Sequence, residues 1–124
     1  MTSPDGETTR GALRDFDFDE PQVEGAKAVI AFAVPADLAY LEGHFPGAPI
    51  VPGVAQVVAL AERQARRVWP DLGAAAGLRR VKFKKALYPG DRLELHLERS
   101  DDRVTFTIEG PDAERYTQGA LLVK

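Results

Sequence analysis

Val54-Ala-Gln-Val-Val-Ala-Leu-Ala61 decides the fold. Gln56 is its single polar residue, and the charged residues Glu62, Arg63, Arg66 and Arg67 come only after it. A helix that is apolar all round is enclosed on every side. Its first two turns are therefore predicted to be buried and its end to emerge into solvent. Trp69-Pro70 restricts continuation, because a residue before proline is pushed out of the helical region. Pro70 to Gly77, rich in alanine and glycine, is predicted as a loop.

Upstream lies a loop dense in glycine and proline, Gly43 to Gly53, preceded by a short helical turn over Pro35 to Leu41 with proline in its first turn. Glu24 to Val34 is rich in Val, Ile, Phe and Ala, and only Lys27 interrupts the apolar run after Ala26. It is predicted as a central strand buried on both faces. Downstream, apolar residues alternate with polar ones as Val81/Phe83, Leu93/Leu95/Leu97 and Val104/Phe106/Ile108, the period of half-buried strands. Turn signals separate them at Pro89-Gly90-Asp91, Ser100-Asp101-Asp102 and Gly110-Pro111-Asp112. Arg115 to Val123 supplies a last strand. One buried helix followed by an antiparallel meander is an α+β pattern in which the sheet wraps around the helix.

A chain of 124 residues with 44% hydrophobic content accommodates one core. Residues 1–12 have the polar, Pro/Gly-containing composition of a flexible tail without the features of a signal peptide, leaving 13–124 as the domain. Without cysteine, disulfides and thiolate chemistry are excluded. His44 and His96 are the only histidines and neither belongs to a metal-ligand spacing, so no metal is expected. The longest apolar stretches fall far short of the ~20 residues of a membrane span, and cytoplasmic residence is expected. The net charge of −3 hides an asymmetry: Arg79, Arg80, Lys82, Lys84 and Lys85 lie together, and without them 11 basic residues face 19 acidic ones, a balance of −8. An acidic protein with one basic stripe disfavours nucleic acid and favours a local acidic partner, a solvated strand face being the plain alternative.

Gly43-His-Phe-Pro-Gly-Ala-Pro-Ile-Val-Pro-Gly-Val54 closely resembles the active-site loop of the hot-dog-fold 3-hydroxyacyl-(acyl-carrier-protein) dehydratases, G-H-F-P-G-x-P-x-x-P-G-V, which leads into that fold's central helix. Val81-Lys-Phe-Lys-Lys-Ala-Leu-Tyr-Pro-Gly-Asp-Arg-Leu93 is similar to the family's strand and turn. The likeness runs over about residues 13–124 in one register, and Pro52-Gly53-Val54-Ala55-Gln56 looks most like the dehydratase-like subunits of aryl-polyene pathways.

The resemblance implies a single hot-dog domain that eliminates water from a 3-hydroxyacyl thioester in fatty-acid or polyene biosynthesis. His44 would be the base, a role its near-neutral pKa suits. Pro52-Gly53 would open the helix, and the amides of Gly53 and Val54 would hold the enolate oxygen, Gly53 having no side chain to keep the thioester away. Phe45, Tyr40 and Trp69 could line an acyl tunnel or simply fill the core. Fourteen residues after the histidine, where the family keeps Glu or Asp from the partner subunit, stands Val58; eighteen after it, where Gln is common, stands Glu62. Valine transfers no proton. Glu62 is either a displaced acid, sharing the face of Val58 one turn on, or a surface residue paired with Arg66.

Three readings stay open: a working dehydratase, one half of a heteromeric dehydratase, or a non-catalytic acyl-binding subunit, with an acyl thioesterase as a rival class. The partners implied are an acyl-carrier-protein or CoA thioester and a second hot-dog subunit in a homodimer or heterodimer. No cofactor is called for. Arg80, Lys82 and Lys84, opposite Val81 and Phe83 by alternation, are the candidate carrier-docking residues. His96 should face solvent without a role, and a buried Gln56 must find a hydrogen-bond partner, with loop backbone the expected one.

Overall fold

The computed structural model describes residues 16–35, Gly53 and residues 56–124, Val58 in its backbone alone. The described strands are β1 (Asp17–Phe18), β2 (Gln22–Glu24), β3 (Lys27–Ala33), β4 (Ala75–Phe83), β5 (Arg92–Arg99), β6 (Arg103–Glu109) and β7 (Arg115–Val123). They form one antiparallel sheet in the order β1-β3-β5-β6-β7-β4, with β2 also paired to β3. Between β3 and β4 runs the central helix, π-type over Gln56–Glu62 and α-type over Arg63–Val68, the latter segment α1.

Alternation in β5, β6 and β7 produces the inner wall. Leu93, Leu95, Leu97, Val104, Phe106, Ile108 and Leu121 are all buried, and they close on Ala59, Leu60, Ala61 and Ala65 of the helix. The helix is therefore buried in its apolar first half, while Arg63 and Arg67 are exposed at its end, as the sequence predicts. It stops at Val68, and Trp69 leaves helical geometry with φ −125 and ψ 85. Arg66 then donates to the carbonyls of Leu72 and Gly73 at 3.1 and 3.0 Å, fastening the following loop to the helix.

Four expectations are corrected. The run from Glu24 is not one strand: Gly25, at φ 61, turns the chain so that β2 folds back on β3 and Glu24 pairs with Lys27. Nor is β3 buried on both faces. Ala28, Ile30 and Phe32 point into the core, but Val29, Ala31 and Ala33 are half-exposed, because the helix covers only one side of the sheet. The loop predicted to reach Gly77 ends earlier: Ala75 and Gly77 already pair with Val123 and Leu122, so cross-strand bonding overrides their weak strand propensity. Finally, alternation fails in β4. Its register against β7 slips between Arg79 and Lys82, Arg80 is left-handed at φ 53, and Phe83, expected inward, is 51% exposed while Val81 is half-buried.

The turn signals hold, but the meander expected to start at β4 does not: β4 lies beside β7, and Pro89-Gly90-Asp91 leads across to β5, which pairs with β3 instead. At Pro89-Gly90-Asp91, Gly90 adopts φ 92 and the Asp91 carboxylate accepts from the Tyr88 N–H at 2.9 Å. Bonds from Gly90 N–H to the Val34 carbonyl and from Val34 N–H to the Asp91 carbonyl pin this turn to the end of β3.

Candidate functional site

Gly53 has helical backbone three positions before Gln56, where the described central helix begins. A Cβ added there would lie 2.9 Å from Cζ and 3.1 Å from Cε2 of Phe83, so any side chain would have to displace the ring. The missing side chain thus lets a β4 aromatic come against the backbone at the helix start. This joins the two quoted motifs in space. Phe83 is a site residue that alternation assigned to the core; the clue was its place in the second motif, one bulge away from where a regular strand would turn it inward.

Three residues on, Gln56 is buried at 4% exposure and its carbonyl oxygen accepts from the Thr117 hydroxyl of β7 at 2.6 Å. Thr117 is itself fully buried. The polar residue in the apolar half of the helix thus has the partner its burial requires, on a strand side chain. Gln56–Glu62 closes i→i+5 hydrogen bonds instead of i→i+4. Such wide turns occur mostly as short interruptions and often at functional sites.

Glu62 is half-exposed, with its carboxylate 3.8 Å from the guanidinium of Arg66. Glu62 stands nine positions after Gly53, at the far end of the π-type segment Gln56–Glu62. Within one chain Glu62 is therefore not brought to the head of the helix. Lys82 and Lys84 are exposed, as is Arg80 in its bulge. Lys85 is committed locally: it donates to Glu114 at 2.9 Å and lies 5.0 Å from the Tyr116 ring centre, and the Glu114 hydrogen bond holds its ammonium above the usual lysine range.

His96 projects from the outer face of β5, its Nε2 3.1 Å from Glu94 and 3.5 Å from Glu109. It is remote from the helix side, as expected. Among the described residues no group of His, Cys, Asp and Glu is arranged to hold a metal ion, and no helix is long and apolar enough to cross a membrane. His44, Phe45, Pro52, Val54 and Tyr40, the side chain of Val58, and residues 1–12 lie outside the described residues.

Among the described residues, one central helix enclosed by a seven-stranded antiparallel sheet is the arrangement of the hot-dog class. The chain belongs to the ApeI-like family: residues 20–120 match that family's model, described as ApeI dehydratase. The 3-hydroxyacyl-[acyl-carrier-protein] dehydratase FabZ of Pelotomaculum thermopropionicum is 37% identical over 81 residues, 60% of this chain and 58% of that protein. FabZ of Nitratidesulfovibrio vulgaris strain Miyazaki F is 42% identical over 65 residues, 46% and 42% of the two chains. The chain thus spans about half the length of the curated relatives it matches. Among solved structures, the dehydratase heterocomplex ApeI:P from Xenorhabdus doucetiae superposes with a TM-score of 0.79 at 24% identity, covering 89% of this chain and 98% of that one. The E. coli PaaI protein superposes with a TM-score of 0.61 at 17% identity, covering 86% and 79%. These two likenesses establish the fold.

Proposed function

We propose that the chain eliminates water from a 3-hydroxyacyl thioester carried on acyl-carrier protein or CoA, giving the trans-2-enoyl thioester. The observation that carries this reading is the membership of residues 20–120 in the ApeI-like family. His44 takes the α-proton, and the electron pair moves toward the thioester carbonyl. Amides near Gly53 and Val54 donate to the oxygen that gains charge, where the helix dipole also favours a negative charge. The bond from Cβ to the hydroxyl then breaks, and the departing oxygen takes a proton from Glu62 or from a water molecule and leaves as water. Pro52 and Phe45 flank this place in sequence. Lys82 and Lys84, with Arg80, present exposed positive charge to an acidic carrier.

A second reading is favoured by Val58, which occupies the position of the family's acid: the chain is a half-site subunit whose hot-dog partner supplies the carboxylate. The engagement of Glu62 with Arg66 supports it, as does the heteromeric character of ApeI:P. One assay of enoyl-thioester formation separates these readings. His44→Ala should abolish activity, and Val58→Glu should raise it ~100-fold or more if base and amides are in place. Loss of activity in Glu62→Gln would name Glu62 as the acid. Activity appearing only with Val58→Glu or an added second subunit selects the half-site. If neither turns over substrate, and His44→Ala binds acyl-carrier protein as well as the wild type, the chain is an acyl-binding scaffold and dehydration fails.

A further inference from the structure

Neighbouring strand residues point to opposite faces, yet Arg79 and Arg80 both line a single groove of about 440 Å³ on the outer face of β4, β7 and β6. The bulge is the reason. Arg80 stands at φ 53, a conformation rare for residues with a side chain and concentrated where function demands it, and the register slips between Arg79 and Lys82. Val81, beside it, is packed over Gly119: a Cβ on that glycine would lie 3.0 Å from Val81 Cγ2 and 3.2 Å from its Cα. A regular strand would have sent one of the two arginines to the other face.

Arg103 and Arg115 complete the wall. The floor follows from the register, which sets Arg79 beside Ala120, Ala120 beside Thr105, and Gln118 beside Thr107. Small residues, two hydroxyls and an amide thus share the groove with four arginines. Asp102 holds Arg103 at 3.1 Å and acts on Arg79 from beyond contact distance, and the Gln118 amide oxygen holds Arg115 at 3.4 Å, whereas Arg80 makes no ion pair among the described residues. Guanidinium forks match phosphate oxygens two at a time, which lysines cannot do. A groove of this size suits a small phosphorylated molecule, and a chain of net charge −3 is a poor ligand for a nucleic-acid strand.

We propose that this groove binds a phosphate ester, either the phosphate of a pantetheine arm or the adenosine bisphosphate head of a coenzyme thioester. The thioester reading supplies only the identity of the ligand; the anion chemistry of the groove stands without it. Calorimetric titration of the full chain with phosphopantetheine, adenosine bisphosphate and inorganic phosphate tests it with no turnover required. Saturable binding of at least one ester, tighter than inorganic phosphate, is expected, and the ester that binds names the source. Arg79→Gln with Arg103→Gln should weaken it at least tenfold, since hydrogen bonds to charged groups are worth about that factor or more each. Thr105→Glu, which places a carboxylate on the exposed floor, should weaken it comparably, and Lys27→Gln, on a strand away from the groove, should leave it unchanged.

The proposal is overturned if neither ester exceeds inorganic phosphate, or if binding survives both sets of substitutions. It is equally overturned if a carrier protein stripped of its phosphopantetheine loses as much affinity on Arg79→Gln with Arg103→Gln as the esters do, which would make the groove a reader of acidic protein surface. Ester binding without dehydration would refute the proposed activity and keep the groove; dehydration without ester binding would do the reverse.

Discussion

β5 and β4 carry the same kind of sequence pattern and behave differently. In β5, Leu93, Leu95 and Leu97 are buried and every intervening residue is exposed or half-exposed. In β4 hardly anything is buried: Leu78 is 47% and Phe83 51% exposed, and only Val81 is half-covered. β5 has hydrogen-bonded neighbours on both sides, whereas β4, among the described residues, has β7 on one side and an open edge on the other. Period two in a sequence states that a strand has two unlike faces; it does not state how much protein lies against either. A long edge strand exposing large apolar side chains is a template for pairing with another chain, consistent with a dimer in which the partner would cover what β4 leaves open.

The comparison breaks most sharply by truncation. Leu95→Ala, at a position with no exposure, should cost about 2 to 5 kcal/mol in urea unfolding. Leu78→Ala should stay within about 0.5 kcal/mol for the isolated chain while weakening self-association in sedimentation. Equal losses of stability at both positions would mean that β4 belongs to the core after all. Gly119→Ala comes next. Its Cβ would fall 2.8 Å from Phe106 Cζ and against Val81, so overpacking should cost about 1 to 3 kcal/mol. A neutral result would show that the bulge relaxes freely.

The smallest effect sharpens the contrast at the surface, where Arg99 at the end of β5 holds Asp71 through two hydrogen bonds of 3.0 Å. The hydrogen bonds from Arg99 keep the Asp71 carboxyl below its usual range. A carboxyl lowered in the folded state stabilises above its unfolded value and loses that contribution as pH falls through the folded one. Wild type should therefore exceed Asp71→Asn slightly in thermal stability at neutral pH, with the gap closing below about pH 4. A gap that is constant with pH would remove the ion pair as its cause.

Much of this was legible because its causes are local. The apolar run before Glu62 fixed the burial of the helix, and Pro89-Gly90-Asp91 fixed a turn through its own backbone and the Asp91 side chain. The bulge at Arg80 was not legible: it depends on how Val81 meets Gly119, residues far apart in sequence and close only once β7 lies beside β4. The groove arginines were hidden for the same reason, Arg103 and Arg115 coming from strands with no basic cluster of their own. Of the candidate site, the sequence supplied Gly53 as the bare position at the helix head, and the structure added the ring that occupies the space beside it. The i→i+5 winding has no signature in the residues, since apolar character all round fits either kind of helix.

The bond between Thr117 and Gln56 has a consequence for aim. An apolar cylinder against an apolar wall has many rotational settings of nearly equal energy, and a helix lined with Ala, Val and Leu would have little reason to prefer one. A single polar pair in that contact acts as an index mark. Turning the helix by one residue would strand two buried polar groups, each at a cost of about 1 to 3 kcal/mol. The mark lies three residues from Gly53, so the direction that the amides there take is referenced to β7. Replacing the pair with Leu and Val would preserve the volume and erase the mark, leaving a well-buried helix free to point its first turn elsewhere.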